Sequence, residues 1–175
     1  MKKWRDLFSS ILPLLIASLL LTACGFQPVH GDNGNDESAL GLEHIQVVVE
    51  NDRLSQLLKA EMEDQFNPDY IAAEKTHTLT VTITESIGGV FINPDGTSSR
   101  NNVNYNTSYV LTRAGEKAPL DSGNITRVSS YNISERADYA TYVAEQDARR
   151  RGVLEIARAY KLRLAGLFAR LQGAP

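Results

Sequence analysis

The sequence has little of what staples small folds or builds metal centres. One cysteine stands in 175 residues, so the chain cannot close a disulfide on itself or form a Cys-x-x-Cys ligand pair. Its three histidines, His30, His44 and His77, are scattered, with no two at ligand spacing on one element. No G-x-S-x-G, H-E-x-x-H or phosphate-cradling glycine loop occurs. No nucleophile stands with an evident base, so the chain does not read as an enzyme, and neither a metal nor a cofactor is expected. There is also no apolar run of roughly twenty residues: the longest, Ile11 to Leu21, covers about eleven, too short to span a bilayer.

That short run is nevertheless informative. Lys2, Lys3 and Arg5 precede it, and Leu21-Thr22-Ala23-Cys24-Gly25 follows it. Basic, then apolar, then small is the order of a secretory signal peptide. A small-residue cleavage site ending on cysteine resembles the bacterial lipobox. Cys24 is therefore the expected lipidation site: a diacylglycerol on its thiol and a further acyl chain on its freed amine. Two or more chains anchor stably where one does not, at roughly 0.8 kcal/mol per buried CH2. A lone thiol in an oxidising compartment is otherwise a liability. Gly25 follows the cysteine, where bacterial lipoproteins retained at the inner membrane carry Asp; by that resemblance the outer membrane is expected.

Cleavage after residue 23 leaves 152 residues, enough for one domain with a packed core. The mature chain holds 15 basic and 20 acidic residues, a net charge of −5, because Lys2, Lys3, Arg5 and Asp6 leave with the signal peptide. The charge is uneven: seven basic residues face Glu155 alone between Arg149 and Arg170. That suggests either an anionic partner or cations complementing a helix C-terminus. Nucleic acid is not expected for an exported, anchored chain.

Phe26 to Ala39, rich in Gly, Asn, Asp and Ser, reads as a flexible tether. Leu42 to Glu50 is a β-branched first strand. Asn51 and Asp52 offer cap chemistry before Leu54, Leu57, Leu58, Met62 and Phe66, an amphipathic helix over about Arg53 to Phe66. Thr76 to Ile87 alternates Leu, Val and Ile with Thr. Gly88-Gly89 predicts a break or bulge, and Asn93-Pro94-Asp95-Gly96 a turn. Val103 to Arg113 is a third strand, Ala114 to Asn124 a loop, and Ile125 to Ile133 a fourth strand. From about Asp138 to Leu171 one long helix carries Val153, Ile156, Ala157, Tyr160, Leu164, Leu167, Phe168 and Leu171 as its apolar stripe, with a kink possible at Gly152 or Gly166. The order β-α-β-β-β-α predicts an α+β two-layer sandwich, a four-stranded sheet with two helices on one face.

The strand surfaces are rich in Thr, Ser, Asn and Tyr and poor in charge. Tyr105, Tyr109, Tyr131 and Tyr142 are candidate contacts with a partner, because uncharged hydrogen-bonding groups are cheap to cover; an ordinary solvated sheet face has the same composition. Arg100, Arg113, Lys117 and Arg127 could converge at one end of the sheet on phosphate groups of a glycolipid, or be scattered surface charge. Arg149-Arg150-Arg151 must point three ways around a helix. Glu135, Asp138, Glu145 and Asp147 match a helix N-terminus.

Three stretches carry a resemblance to a known family. Cys24-Gly25-Phe26-Gln27-Pro28-Val29-His30-Gly31, Leu54-Ser55-Gln56 and Tyr142 to Arg151 resemble, in that order, the mature start, first helix and second helix of the LPS-assembly lipoprotein family LptE, in its alphaproteobacterial form. The resemblance implies a signal peptide over 1–23, a lipidated tether over 24–41 and one LptE-like domain over 42–175. It implies a Gram-negative outer-membrane lipoprotein that plugs and helps assemble the LptD β-barrel, with lipopolysaccharide as cargo. The family's basic residues in the turn between strands two and three, and near the second helix, are not matched: this turn holds Asn93-Pro94-Asp95-Gly96, and acids open the helix. The other reading is an auxiliary periplasmic lipoprotein that binds a lipid or serves a transporter or secretion complex.

Overall fold

A computed structural model describes residues 41–92, 98–134 and 137–173. The expected signal peptide, Cys24, nearly all of the tether, the Asn93–Gly96 turn and Glu135 lie outside them. A 3-10 turn, Leu42–His44, leads into β1 (Ile45–Val49), then α1 (Arg53–Phe66), β2 (His77–Ile92), β3 (Ser98–Arg113), β4 (Pro119–Asn132) and α2 (Asp138–Gly173). The sheet order is β1-β2-β3-β4. β1 runs parallel to β2, with α1 as the crossover that a parallel pair requires. β2, β3 and β4 form the expected antiparallel meander. Both helices cover one face, so the α+β sandwich is the observed architecture.

Local chemistry explains most boundaries. Asp52 caps α1: its carboxylate accepts from the backbone N–H of Leu54 at 2.9 Å and of Ser55 at 3.0 Å, and from the Ser55 hydroxyl. Ser55, Leu58, Met62 and Phe66 form the buried stripe of α1, whereas Leu57, expected on it, lies at the surface. The first strand starts three residues later than expected, because Gly41 adopts a left-handed conformation (φ 70°) and turns the chain through Leu42–His44. The Lys75 ammonium donates to the Glu43 carbonyl at 2.7 Å, tying this turn to the approach to β2.

Gly88-Gly89 does not break β2. The strand continues to Ile92, with the register shifting between Gly89 and Phe91, a bulge. The expected loop Ala114 to Asn124 is a correction: β4 begins at Pro119, with Asp121 opposite Leu111 and Gly123 opposite Tyr109. The Tyr109 hydroxyl donates to Asp121 at 2.6 Å, and Arg163 Nε lies 3.6 Å from the same carboxylate. These contacts, made across the sheet and from α2, draw a turn-like sequence into the ladder.

The core lies between sheet and helices. Val47, Leu79, Val81, Val103, Tyr105, Tyr109 and Leu111 meet Leu58, Met62, Val153, Ile156, Tyr160 and Leu164 there. Leu171, expected on the stripe of α2, is exposed. Its 36 residues make α2 about 54 Å long at 1.5 Å per residue. It runs unbroken through Gly152 and Gly166. Among the described residues, no helix is long and apolar enough to cross a membrane.

Candidate functional site

Among the described residues, nothing covers the sheet face away from the helices, which leaves it bare. Its register stacks Thr82 against Ser108 and Asn124, then Thr84 against Asn106 and Thr126, then Ser86 against Asn104 and Val128. Val48, Val110 and Val128 are the larger apolar groups exposed on it. Among the described residues, Arg100 is the one charged side chain on this face, beyond these rows at the hairpin end, where it donates to Ser130 Oγ at 2.5 Å. A shallow hollow of about 250 Å³ lies mid-face, lined by Thr84, Ser86, Asn104, Asn106, Thr126 and Val128 and by Glu85, Tyr105 and Arg127, three residues of the opposite strand parity. Such a face combines hydroxyl and amide groups with short apolar side chains. Covering these three rows strands no charge, and each lost water contact can be replaced by a hydrogen bond.

The four basic residues expected to converge do not. Arg100 and Arg113 lie thirteen positions apart on β3, about 43 Å at 3.3 Å per residue. Arg113 is opposite His77, with Nη1 3.3 Å from Glu116 Oε1; Lys117 follows in the β3–β4 turn. Arg127 sits mid-strand opposite Tyr105, its Nη1 donating to the Thr126 carbonyl at 2.8 Å. Arg100 is on the bare face at its hairpin end, Arg127 shares the strand parity of Tyr105 and belongs to the helix-side face, and the other two lie at the far end.

The tyrosines need a larger correction. Tyr105, Tyr109 and Tyr131 are 2%, 2% and 6% exposed, packed under α2 and not on the bare face. Burial pushes the Tyr105 and Tyr109 hydroxyls up to about 12, with Glu85 adding to the first and the Asp121 hydrogen bond to the second. Tyr109 stacks edge-on against Tyr160, whose hydroxyl, also pushed up to about 12 by burial, donates to Thr107. Tyr142 is exposed, as is Tyr139, on the first turns of α2. The signal for this was present: Tyr105 and Tyr109 share the parity of Val103 and Leu111, which places them with the apolar face.

A second feature escaped sequence reasoning. Between the start of α1 and the first third of α2 lies an open cleft of about 460 Å³, lined by Arg53, Leu54, Leu57, Glu61, Glu85, Gln146, Arg149 and Arg150. Arg149 bridges Glu85 at 3.1 Å and Glu145 at 2.9 Å, while the Tyr131 hydroxyl donates to Glu145 at 3.2 Å. Arg151 pairs with Asp147 and reaches the Ser130 carbonyl, so the three arginines do diverge. Of the acids near the helix start, Glu145 and Asp147 enter these ion pairs. Among the described residues, no group of three or more His, Cys, Asp or Glu is placed to hold a metal.

No known protein family matches the chain, and no curated protein does. Solved structures do. A candidate lipoprotein of Caulobacter crescentus is 24% identical with a TM-score of 0.60, over 76% of this chain and 94% of that one. Rare lipoprotein B of Shewanella oneidensis is 14% identical with a TM-score of 0.55, over 73% and 98%. A minor lipoprotein of Acinetobacter baumannii is 9% identical with a TM-score of 0.54, over 70% and 91%. At these identities the likeness is one of fold: the same sandwich spans nearly the whole of each of those chains.

Proposed function

We propose that this chain is a lipoprotein anchored through Cys24 in the outer membrane, where its bare sheet face docks on the polar inner wall of a β-barrel. As the LptE resemblance implies, the partner would be the LptD translocon, and the role would be to plug and help assemble it while lipopolysaccharide passes to the surface. The single observation that carries the reading is the Thr-Ser-Asn face, free of charge in its three middle rows and exposed across β2, β3 and β4. A barrel lumen is polar and hydrogen-bonding, so such a face loses little on entering it. The fold shared with three proteins described as lipoproteins supports the anchor. On this reading Arg100, on that face at its hairpin end, is the one of the four basic residues offered to a glycolipid phosphate. A lipid-binding auxiliary role fits less well, because the cleft between the helices is open and rimmed by charged groups rather than enclosed and apolar.

The test is purification of the tagged mature protein from its own membranes in mild detergent. The expected result is one barrel protein at near-equal stoichiometry that survives high salt. Recovery of the lipoprotein alone overturns the reading.

A further inference from the structure

β1 ends at Val49 opposite Val81, yet β2 continues to Ile92. From Thr84 onward β2 has β3 on one side and, among the described residues, no strand on the other. Residues Thr84 to Val90 are all exposed. The backbone N–H and C=O groups along this edge need partners, and an added strand is the most direct way to supply them. The opposite edge is blunted by Pro119 and lies beside α2, which packs on β4.

Alternation along an added strand would send every second side chain toward the helix layer, where the open cleft lies. Glu85 belongs to both the edge and the cleft wall. The cleft sets three guanidinium groups against two carboxylates. Arg149 is already held by two carboxylates, Glu85 and, beside the cleft, Glu145, so the cations left to the cleft are Arg53 and Arg150 against Glu61. Arg53 and Arg150 have no ion pair among the described residues, and the buried Nε of Arg149 has no acceptor. Leu54 and Leu57 give the cleft an apolar side.

We propose that the β2 edge from Thr84 to Val90 takes an extended segment of another protein as an added strand. That segment carries a carboxylate on its cleft-facing side, where it meets Arg53 and Arg150, and an apolar side chain for Leu54 and Leu57. Main-chain pairing supplies the adhesion, and the paired charges select the occupant. This goes beyond the barrel reading: it concerns a different surface and requires only an acidic, strand-forming segment.

The experiment uses the full mature protein in detergent and a synthetic peptide of about ten residues, Thr and Val on one face and Asp and Val on the other, a length matched to the edge. Amide hydrogen exchange is followed by mass spectrometry. At saturation the peptide is expected to slow exchange over residues 84–90 by roughly tenfold or more. A double variant, Arg53→Glu with Arg150→Glu, is expected to bind it roughly tenfold more weakly while melting at the same temperature, both positions being exposed. Unchanged exchange over 84–90, protection confined to β4 or the bare face, or equal binding of a peptide with Lys in place of Asp overturns the proposal. Protection that grows with protein concentration without peptide assigns the edge to a second copy and overturns it too. No barrel is present in this experiment, so its failure and that of the barrel reading are separable.

Discussion

A methyl group added at position 152 would come within 2.3 Å of the Tyr105 ring, so α2 can lie on β3 at that point only because the residue is glycine. Gly152→Ala is expected to destabilise the fold by about 1–3 kcal/mol, the usual cost of overpacking. Gly166 sits in the same helix with nothing within 4 Å of an added Cβ. Gly166→Ala is therefore expected to stabilise by about 0.5–1 kcal/mol through helix propensity and reduced unfolded-state entropy. Urea unfolding of both variants checks the pair, and two changes of the same sign would sink the argument. The buried tyrosines set a pH limit at the same scale. Tyr105, Tyr109 and Tyr160 ionise near 12 in the fold but near 10 in the open chain. Between these values the unfolded state releases protons that the native state keeps. Their contribution is thus complete below pH 10 and lost as pH rises from about 10 to about 12. Alkaline unfolding followed by phenolate absorbance is expected to show ionisation and loss of structure together, not separate steps.

At the scale of elements, packing across layers holds the helices. Leu58 and Met62 of α1 are fully buried among residues of the sheet and α2. Leu58→Ala is expected to cost about 2–5 kcal/mol by cavity formation, read as a lowered urea midpoint with an unchanged slope. The elements themselves were largely legible. Asp52 ahead of a helical stripe predicted α1, and Thr alternating with Leu, Val and Ile predicted β2, because caps and periodicity are local signals. Leu120 to Asn124 was not legible as strand, since its pairing depends on Tyr109 and Arg163, which are distant in sequence. The tyrosines went astray for a related reason: a phenol is apolar enough to be core and polar enough to be surface, and only strand parity separates the two.

For the whole molecule, anchoring and docking are separable properties. Cys24→Ala is expected to leave a folded domain, with the same circular dichroism, that no longer sediments with membranes. Full retention in the outer-membrane fraction would show that a partner alone suffices to hold it, or that no lipid is attached there. Lysines on the bare face at two positions that are not cross-strand partners, Thr82→Lys with Thr126→Lys, are expected to change stability by no more than about 0.5 kcal/mol per site because both positions are exposed. They are also expected to abolish co-purification of a barrel, since covering them would bury charge; undiminished recovery argues that this face stays in water. The sequence by itself determined the export signal pattern, the single lipidation candidate, the element order and the apolar stripes, all encoded by residues near one another along the chain. Only the tertiary structure decided which face of each strand is covered, that the basic residues stand apart, that β2 outruns β1, and that Arg53 and Arg150 share a cleft. Those facts depend on register and on where two helices come to rest, and both are set by contacts between residues remote in sequence.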